Sequence, residues 1–332
     1  MPTVLPSQIQ NLIADTGYPV MLEEYAAHPR YFEQYTTVAP SSAAWMPNIG
    51  HKKVLHGGVE QLVEIEPGQE IHASSVGGTR TALGKIRKLA RMISFPVEVW
   101  NSSNADAVMG RDIRALSQRW AQYSSLKKDE IVAGLFNNGA LTAGSTADFK
   151  NQFADERSVV DGFIYDGLPF FDTAHLSLAG TSYSNHTASR NLTQANFETT
   201  YTTMTATNNR DERDQRVPIM PNILMVPADL RSTALELIQS EMKLGTGANA
   251  DDINAINANR GIVQVVVNPF LTDTDGWFLG SARGVEVFDS GAPEFRTAFN
   301  EREQSIEVYV STYIGAMVVN WREWYACNVA AS

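Results

Sequence analysis

Two rhythms organise the apolar positions of this chain. Across residues 104–138, Met109, Ile113, Leu116, Trp120 and Tyr123 recur at alternating spacings of four and three, which is one apolar stripe on a helix. Ser102, Ser103 or Asn104 can cap its start, Asp106 suits its first turn, and Asn137-Asn138-Gly139 supplies the stop. At 1.5 Å per residue such a helix is roughly 50 Å long, the length of a strut rather than of a helix in a compact enzyme domain.

A period of two governs residues 59–100 instead. In VEQLVEIE, Val63 and Ile65 alternate with Glu64 and Glu66; in KLARMISFPVEVW, Leu89, Arg91, Ile93, Phe95, Val97 and Val99 share one face. A Gly- and Ser-rich stretch, EPGQEIHASSVGGTRTALG, lies between them, so the pattern predicts a long hairpin. Its ascending arm is acidic (Glu60, Glu64, Glu66, Glu70) and its descending arm basic (Arg80, Lys85, Arg87, Lys88, Arg91). Opposite charges on paired strands contribute roughly 0.2–1 kcal/mol each, within one chain or against the matching arm of a neighbour.

Residues 1–57 read as a mostly extended arm with one short helical candidate, SQIQNLIADTG, and too little apolar patterning for a core of their own. Such an arm is expected to lie across another surface. Residues 140–216 mix loops with a helix near 194–209. From Val217 onward the pattern gives a buried strand in PNILMVPADL, then an amphipathic helix with Leu230, Ala234, Leu237, Ile238 and Met242 on one side. A flexible loop, LGTGANADDINAINANR, follows, then strands in GIVQVVVNPFL, DGWFLGS and VEVFD. Strand-helix-strand order predicts an α/β unit. The closing SIEVYVSTYIGAMVVNWREWYACN reads as a strand pair returning to the long helix, with Trp321, Trp324 and Tyr325 in the core.

Composition narrows the function classes. The 332 residues are 43% hydrophobic and 19% charged, ordinary globular usage and enough for about two domains. A net charge of −11 argues against a dedicated reader of nucleic acid, which is normally basic. The single cysteine, Cys327, allows no disulfide framework or cysteine-based zinc site within one chain. The start has no secretory pattern, and no apolar run reaches the ~18 residues of a membrane span.

Candidate chemistry is sparse. GGTRTALGKIRK (77–88) is not a phosphate loop: five residues separate Gly78 from Gly84, and Ile86 after Lys85 has no hydroxyl for Mg²⁺. DGLPFFDTAH gathers Asp166, Asp172 and His175, residue types of a hydrolytic metal site, yet Asp-Gly and Asp-Thr are also turn chemistry. No HExxH or GxSxG occurs. The expectation is no catalytic residue, cofactor or metal, with a metal-dependent hydrolase using Asp166, Asp172 and His175 as the enzyme alternative.

The order of elements, with the phrases DGLPFFDTAH, PNILMVPADLRSTALELIQSE, VVNPFLTDTDGWFLG and EVYVSTYIGAMVVNWREWY, resembles the major capsid proteins of tailed bacteriophages. Within that Hong Kong 97-like fold it is most similar to the Mu-like major head subunit family. The resemblance implies an α+β fold: an N-terminal arm (1–57), an extended E-loop hairpin (58–100), a peripheral domain with a spine helix (101–216) completed by returning strands (306–332), and an axial α/β domain (217–305). It implies self-assembly into hexamers and pentamers of an icosahedral shell around double-stranded DNA, bound without sequence specificity. Implied partners are other copies, a separate scaffolding protein, a portal and a cement protein; no membrane is involved. The implied location is the virion capsid, with the host cytoplasm during assembly. Glu64, Glu66, Lys85, Arg87, Lys88 and Arg91 are the expected intersubunit contacts. Relatives that cross-link do so through a lysine, an asparagine and a glutamate; Lys85 lies in the right element, but no partners match. An encapsulin-like nanocompartment is the alternative with the same fold.

Overall fold

The computed structural model describes residues 6–39, 51–56, 64–65, 79–84, 86–96, 98, 105–140, 164, 166–241 and 257–329. In chain order these form α1 (Pro6–Ala27), a 3-10 turn (Tyr31–Gln34), β1 (Thr37–Val38), β2 (His51–His56), β3 (Thr79–Gly84), β4 (Ile86–Pro96) and α2 (Ala105–Asn137). Next come β5 (His175–Leu176), β6 (Ser182–Tyr183), β7 (His186–Thr187), α3 (Gln194–Thr202), β8 (Ile223–Val226), α4 (Arg231–Gln239) and β9 (Gln264–Val267). The chain closes with β10 (Trp277–Gly280), β11 (Val285–Asp289), β12 (Glu294–Asn300), β13 (Ser305–Val318) and β14 (Trp324–Cys327).

Two five-stranded sheets carry the fold. The second, ordered β7-β14-β10-β8-β9, shows how period two builds two cores at once. Ile223 and Met225 of β8, Phe278 of β10, and Trp324 and Ala326 of β14 enter one cluster. The alternating Leu224 and Val226, Trp277 and Leu279, and Tyr325 and Cys327 enter another, with Ala234, Leu237 and Ile238 of α4. β8 and β9 are parallel and joined through α4, the expected strand-helix-strand unit.

In the first sheet β13 is the spine. β11 and β12 lie along one side of it and β4 along the other, all antiparallel to it, while β1 adds in parallel beside β11. The expected closing strand pair is therefore divided: β13 belongs to this sheet and β14 to the other. The C-terminal end of α2 inserts Ile131, Val132, Leu135 and Phe136 into the core that both sheets line. The Phe136 ring there meets Tyr35, Phe170, Phe278 and Trp324 edge-on, with centroids 4.9–5.7 Å away.

Helix α2 has the length its pattern predicts, 33 residues ending at Asn137, but its buried stripe differs. Ile113, Ser117, Ala121, Ser125, Lys128, Asp129 and Val132 are buried, whereas Tyr123 is 64% exposed. Helix α1 explains the difference. Ile13 clusters with Ile113, Gly17 faces Ser117, Met21 packs with Ala121, and Gln122 donates to Glu24 at 2.9 Å. Both sets of numbers climb together, so the helices run parallel, and small residues let them approach. A Cβ on Gly17 would stand 2.9 Å from both Ser117 Oγ and Phe295 Cζ.

The arm thus departs from its expected extended form. A 22-residue helix replaces the short candidate, burying Ile13, Gly17, Met21 and Tyr25 at intervals of four against the chain's own α2 and β12. Gly17 and Pro19, residue types that ordinarily interrupt a helix, lie inside it: glycine serves the close approach, and Pro19 sits on the exposed side.

In the hairpin region two pairings are described. β2 pairs with β3 from His51↔Gly84 to His56↔Thr79, while β4 pairs with β13 from Ser305↔Pro96 to Gly315↔Ile86. Of the expected ascending strand, Glu64 and Ile65 lie exposed and outside any strand; the rest of 59–66 lies outside the described residues. So does most of the expected flexible loop at 244–260.

Candidate assembly interface

Strand β4 has an open edge. One side of it is bonded to β13 for eleven residues, and among the described residues no strand occupies the other. Such an edge presents a row of backbone donors and acceptors. Residues opposite one another across an antiparallel pair share a face. Arg87, Leu89, Arg91, Ile93 and Phe95 therefore face the helices with Ile314, Thr312, Val310, Val308 and Ile306, while Lys88, Ala90, Met92 and Ser94 face the other way. The predicted alternation of β4 holds; most of its predicted partner, 59–66, lies outside the described residues.

Between this edge and the outer side of α2 lies a groove of 520 Å³. Four consecutive β4 residues, Lys88–Arg91, line it, as only a strand's edge can, opposite Tyr123, Leu126, Lys127 and Glu130. Tyr123 and Leu126 are exposed apolar side chains, and on the sheet's outer face so are the cross-strand neighbours Met92 and Tyr309. The Lys88 Nζ stands 5.9 Å over the Tyr313 ring. Burial pulls the pKa of the half-buried Arg87 guanidinium down.

Four of the six expected contact residues are described. Arg87 and Arg91 face the helices, Lys88 the opposite side, and Glu64 is exposed apart from them. Glu66 and Lys85 lie outside the described residues.

Two charged residues of α2, Lys128 and Asp129, are buried without any apolar signal in the sequence. The Lys128 ammonium, fully buried, donates to Asp289 Oδ1 at 2.5 Å, Gly291 O at 2.6 Å and Tyr25 Oη at 2.8 Å, joining α2, β11 and α1. Burial lowers its pKa, and the Asp289 carboxylate opposes that shift. The next residue, Asp129, accepts from Phe32 N at 2.9 Å and so anchors the turn after α1. Burial raises its carboxyl to about 6. Their signal was present: both sit where the four-residue stripe of α2 requires a buried position.

A second link ties the hairpin base to the C-terminal segment. Glu212 accepts from Arg322 Nη1 at 2.7 Å and pairs with Arg80 of β3 at 3.6 Å. Arg80 Nη2 also donates to Leu176 O at 2.8 Å, and Lys53 of β2 donates to Glu286 of β11 at 2.5 Å. These contacts hold β2 and β3 on the body of the chain.

The suspected hydrolytic triad does not assemble. Asp166 Oδ2 and His175 Nδ1 are 2.6 Å apart and buried, with the His175 ring stacked 4.2 Å from Trp321. Asp172 instead caps its own turn by accepting from Ala174 N at 2.8 Å, which is the turn chemistry. No group of three metal-ligating side chains exists among the described residues.

The model of a family described as Phage capsid protein matches residues 80–327. Among solved structures, the capsid of an empty GTA particle aligns at 12% identity with a TM-score of 0.53, covering 91% of this chain and 90% of that one. The capsid of the native GTA particle gives 11%, 0.51, 91% and 90%. The capsid of bacteriophage JBD30, decorated with minor capsid protein trimers, aligns at 16% identity with a TM-score of 0.49, covering 74% of this chain and 92% of that one. No curated protein matches the chain.

Proposed function

The chain belongs to the phage capsid protein family, and from that premise we propose how its parts build a shell. It is a major capsid protein, a structural subunit of an icosahedral particle. The observation that carries this is the extent of the family match, which runs from β3 through both sheets to β14.

In finer detail, the subunit adopts the Hong Kong 97-like plan. Residues 1–57 are the arm, 58–100 the E-loop, 101–216 with 306–332 the peripheral domain around α2, and 217–305 the axial domain. Copies gather as hexamers and pentamers enclosing double-stranded DNA in the virion, after assembly in the host cytoplasm with a separate scaffolding protein, a portal and a cement protein. The subunit performs no catalysis; its Asp166–His175 pair supports the β5 turn. A strand edge that no described strand occupies, beside a groove with apolar and charged lining, supports this reading, since a repeating subunit needs surfaces left open for its neighbours.

Replacing residues 67–78 by a Gly-Ser linker of equal length tests the assignment. The subunit should unfold at an unchanged urea midpoint while shell yield collapses. Unfolding of the subunit itself would make this segment core and contradict the plan.

A further inference from the structure

The chain carries a net charge of −11, yet one face of it collects cations that the fold leaves unpaired. Lys88 and Arg91 stand exposed on β4, and Arg119, Tyr123 and Lys127 follow at intervals of four on the exposed side of α2. Lys88, Arg91, Tyr123 and Lys127 line the same groove. Lys88, Arg91 and Arg119 make no ion pair, and the one carboxylate in the groove lining, Glu130, is bonded to Lys127 at 2.8 Å. By contrast Lys53, Lys128 and Arg322 each hold a carboxylate within the chain.

Two polyanions can meet such a face, an acidic protein segment or the phosphate backbone of nucleic acid. Protein carboxylates must match the spacing of the cations, and Arg119 lies outside the groove in which a peptide would rest. It is eight residues from Lys127, about 12 Å along the helix. A duplex carries one charge per ~1.7 Å of its axis, so it sets a phosphate opposite every one of these cations in any register. The β4 edge, unpaired among the described residues, adds backbone N–H groups, which also donate to phosphate. Resting on the shell reading above, we propose that the face formed by β4 and α2 looks into the shell and holds the backbone of the enclosed double-stranded DNA. The contact reads no sequence, because phosphates carry none. It also orients the subunit, turning the outer side of α2 to the lumen.

Fluorescence anisotropy of a short labelled duplex with the purified full chain tests the contact before any shell exists. The wild type should bind duplexes of unrelated sequence equally, with an affinity that falls as salt rises. Lys88→Glu with Arg91→Glu should lower that affinity about tenfold and flatten the slope of log affinity against log salt by about two units. Arg231→Glu with Arg302→Glu changes the net charge equally, on exposed residues outside the face, and should leave the slope unchanged. All three proteins should share one urea midpoint, since the four positions are exposed. In particles, acetylation of lysines supplies a second readout: Lys88 and Lys127 should be protected in DNA-filled shells relative to empty ones. A wild type without duplex affinity at low salt, equal losses in the two charge-reversed pairs, or equal acetylation in filled and empty shells overturns the proposal and leaves the shell function standing. Polyglutamate that binds this face more tightly than the duplex overturns it too, in favour of an acidic protein. A wild type that never forms shells removes the shell reading and, with it, the inward placement.

Discussion

Lys128 and Asp129 are sequence neighbours with opposite energetic roles. Lys128 is buried but fully bonded to Asp289, Tyr25 and Gly291, so removing it strands a carboxylate in the interior. Lys128→Met should cost about 3–5 kcal/mol in urea unfolding, and adding Asp289→Leu should recover most of it, because an apolar pair replaces the ion pair. A single variant as stable as wild type would contradict the burial. Asp129 is buried, and that burial outweighs its backbone hydrogen bonds and the nearby Arg30 charge, so its carboxyl rises to about 6. A raised carboxyl favours folding while protonated. That contribution is full below the unfolded value near 3.8 and is lost as pH rises through about 6. Between those limits the subunit should lose about 2–3 kcal/mol, and Asp129→Asn should flatten that part of the stability–pH curve. An unchanged slope in the variant would refute the assignment.

At the scale of elements, the chain announced its strands and helices better than their partners. The limits of α2 were legible because caps and periodicity are local, and the α4 unit because Leu230 to Ile238 repeat cleanly. The buried stripe of α2 departs from its apolar pattern because a parallel companion helix selects Ser117 and Ala121 for closeness. The length of α1 was hidden by Gly17 and Pro19, whose local cost is offset by packing. Period two fixed the faces of β4 but could not say whether VEQLVEIE or β13 lies beside it, since pairing is a property of the whole fold. The open edge and the groove were accordingly invisible in sequence, while the charges beside them were not. Gly17→Val tests the helix contact. The branched side chain should cost about 1–3 kcal/mol and speed amide exchange across 113–121 of α2. Unaltered exchange there would mean that α1 does not pack at Gly17.

At the scale of the molecule, two sheets share one aromatic core and clamp the end of the long helix, making a rigid body. The hairpin base is fastened to that body by Arg80, Lys53 and Glu212, while among the described residues β4 keeps one edge unpaired. A weak contact multiplied over every subunit closes a stable particle. The direct measurement is electron microscopy of the purified full chain under assembly conditions, with any scaffolding factor supplied. Closed icosahedral shells built of this chain are the predicted result. A folded protein that stays monomeric under every such condition would contradict the capsid account.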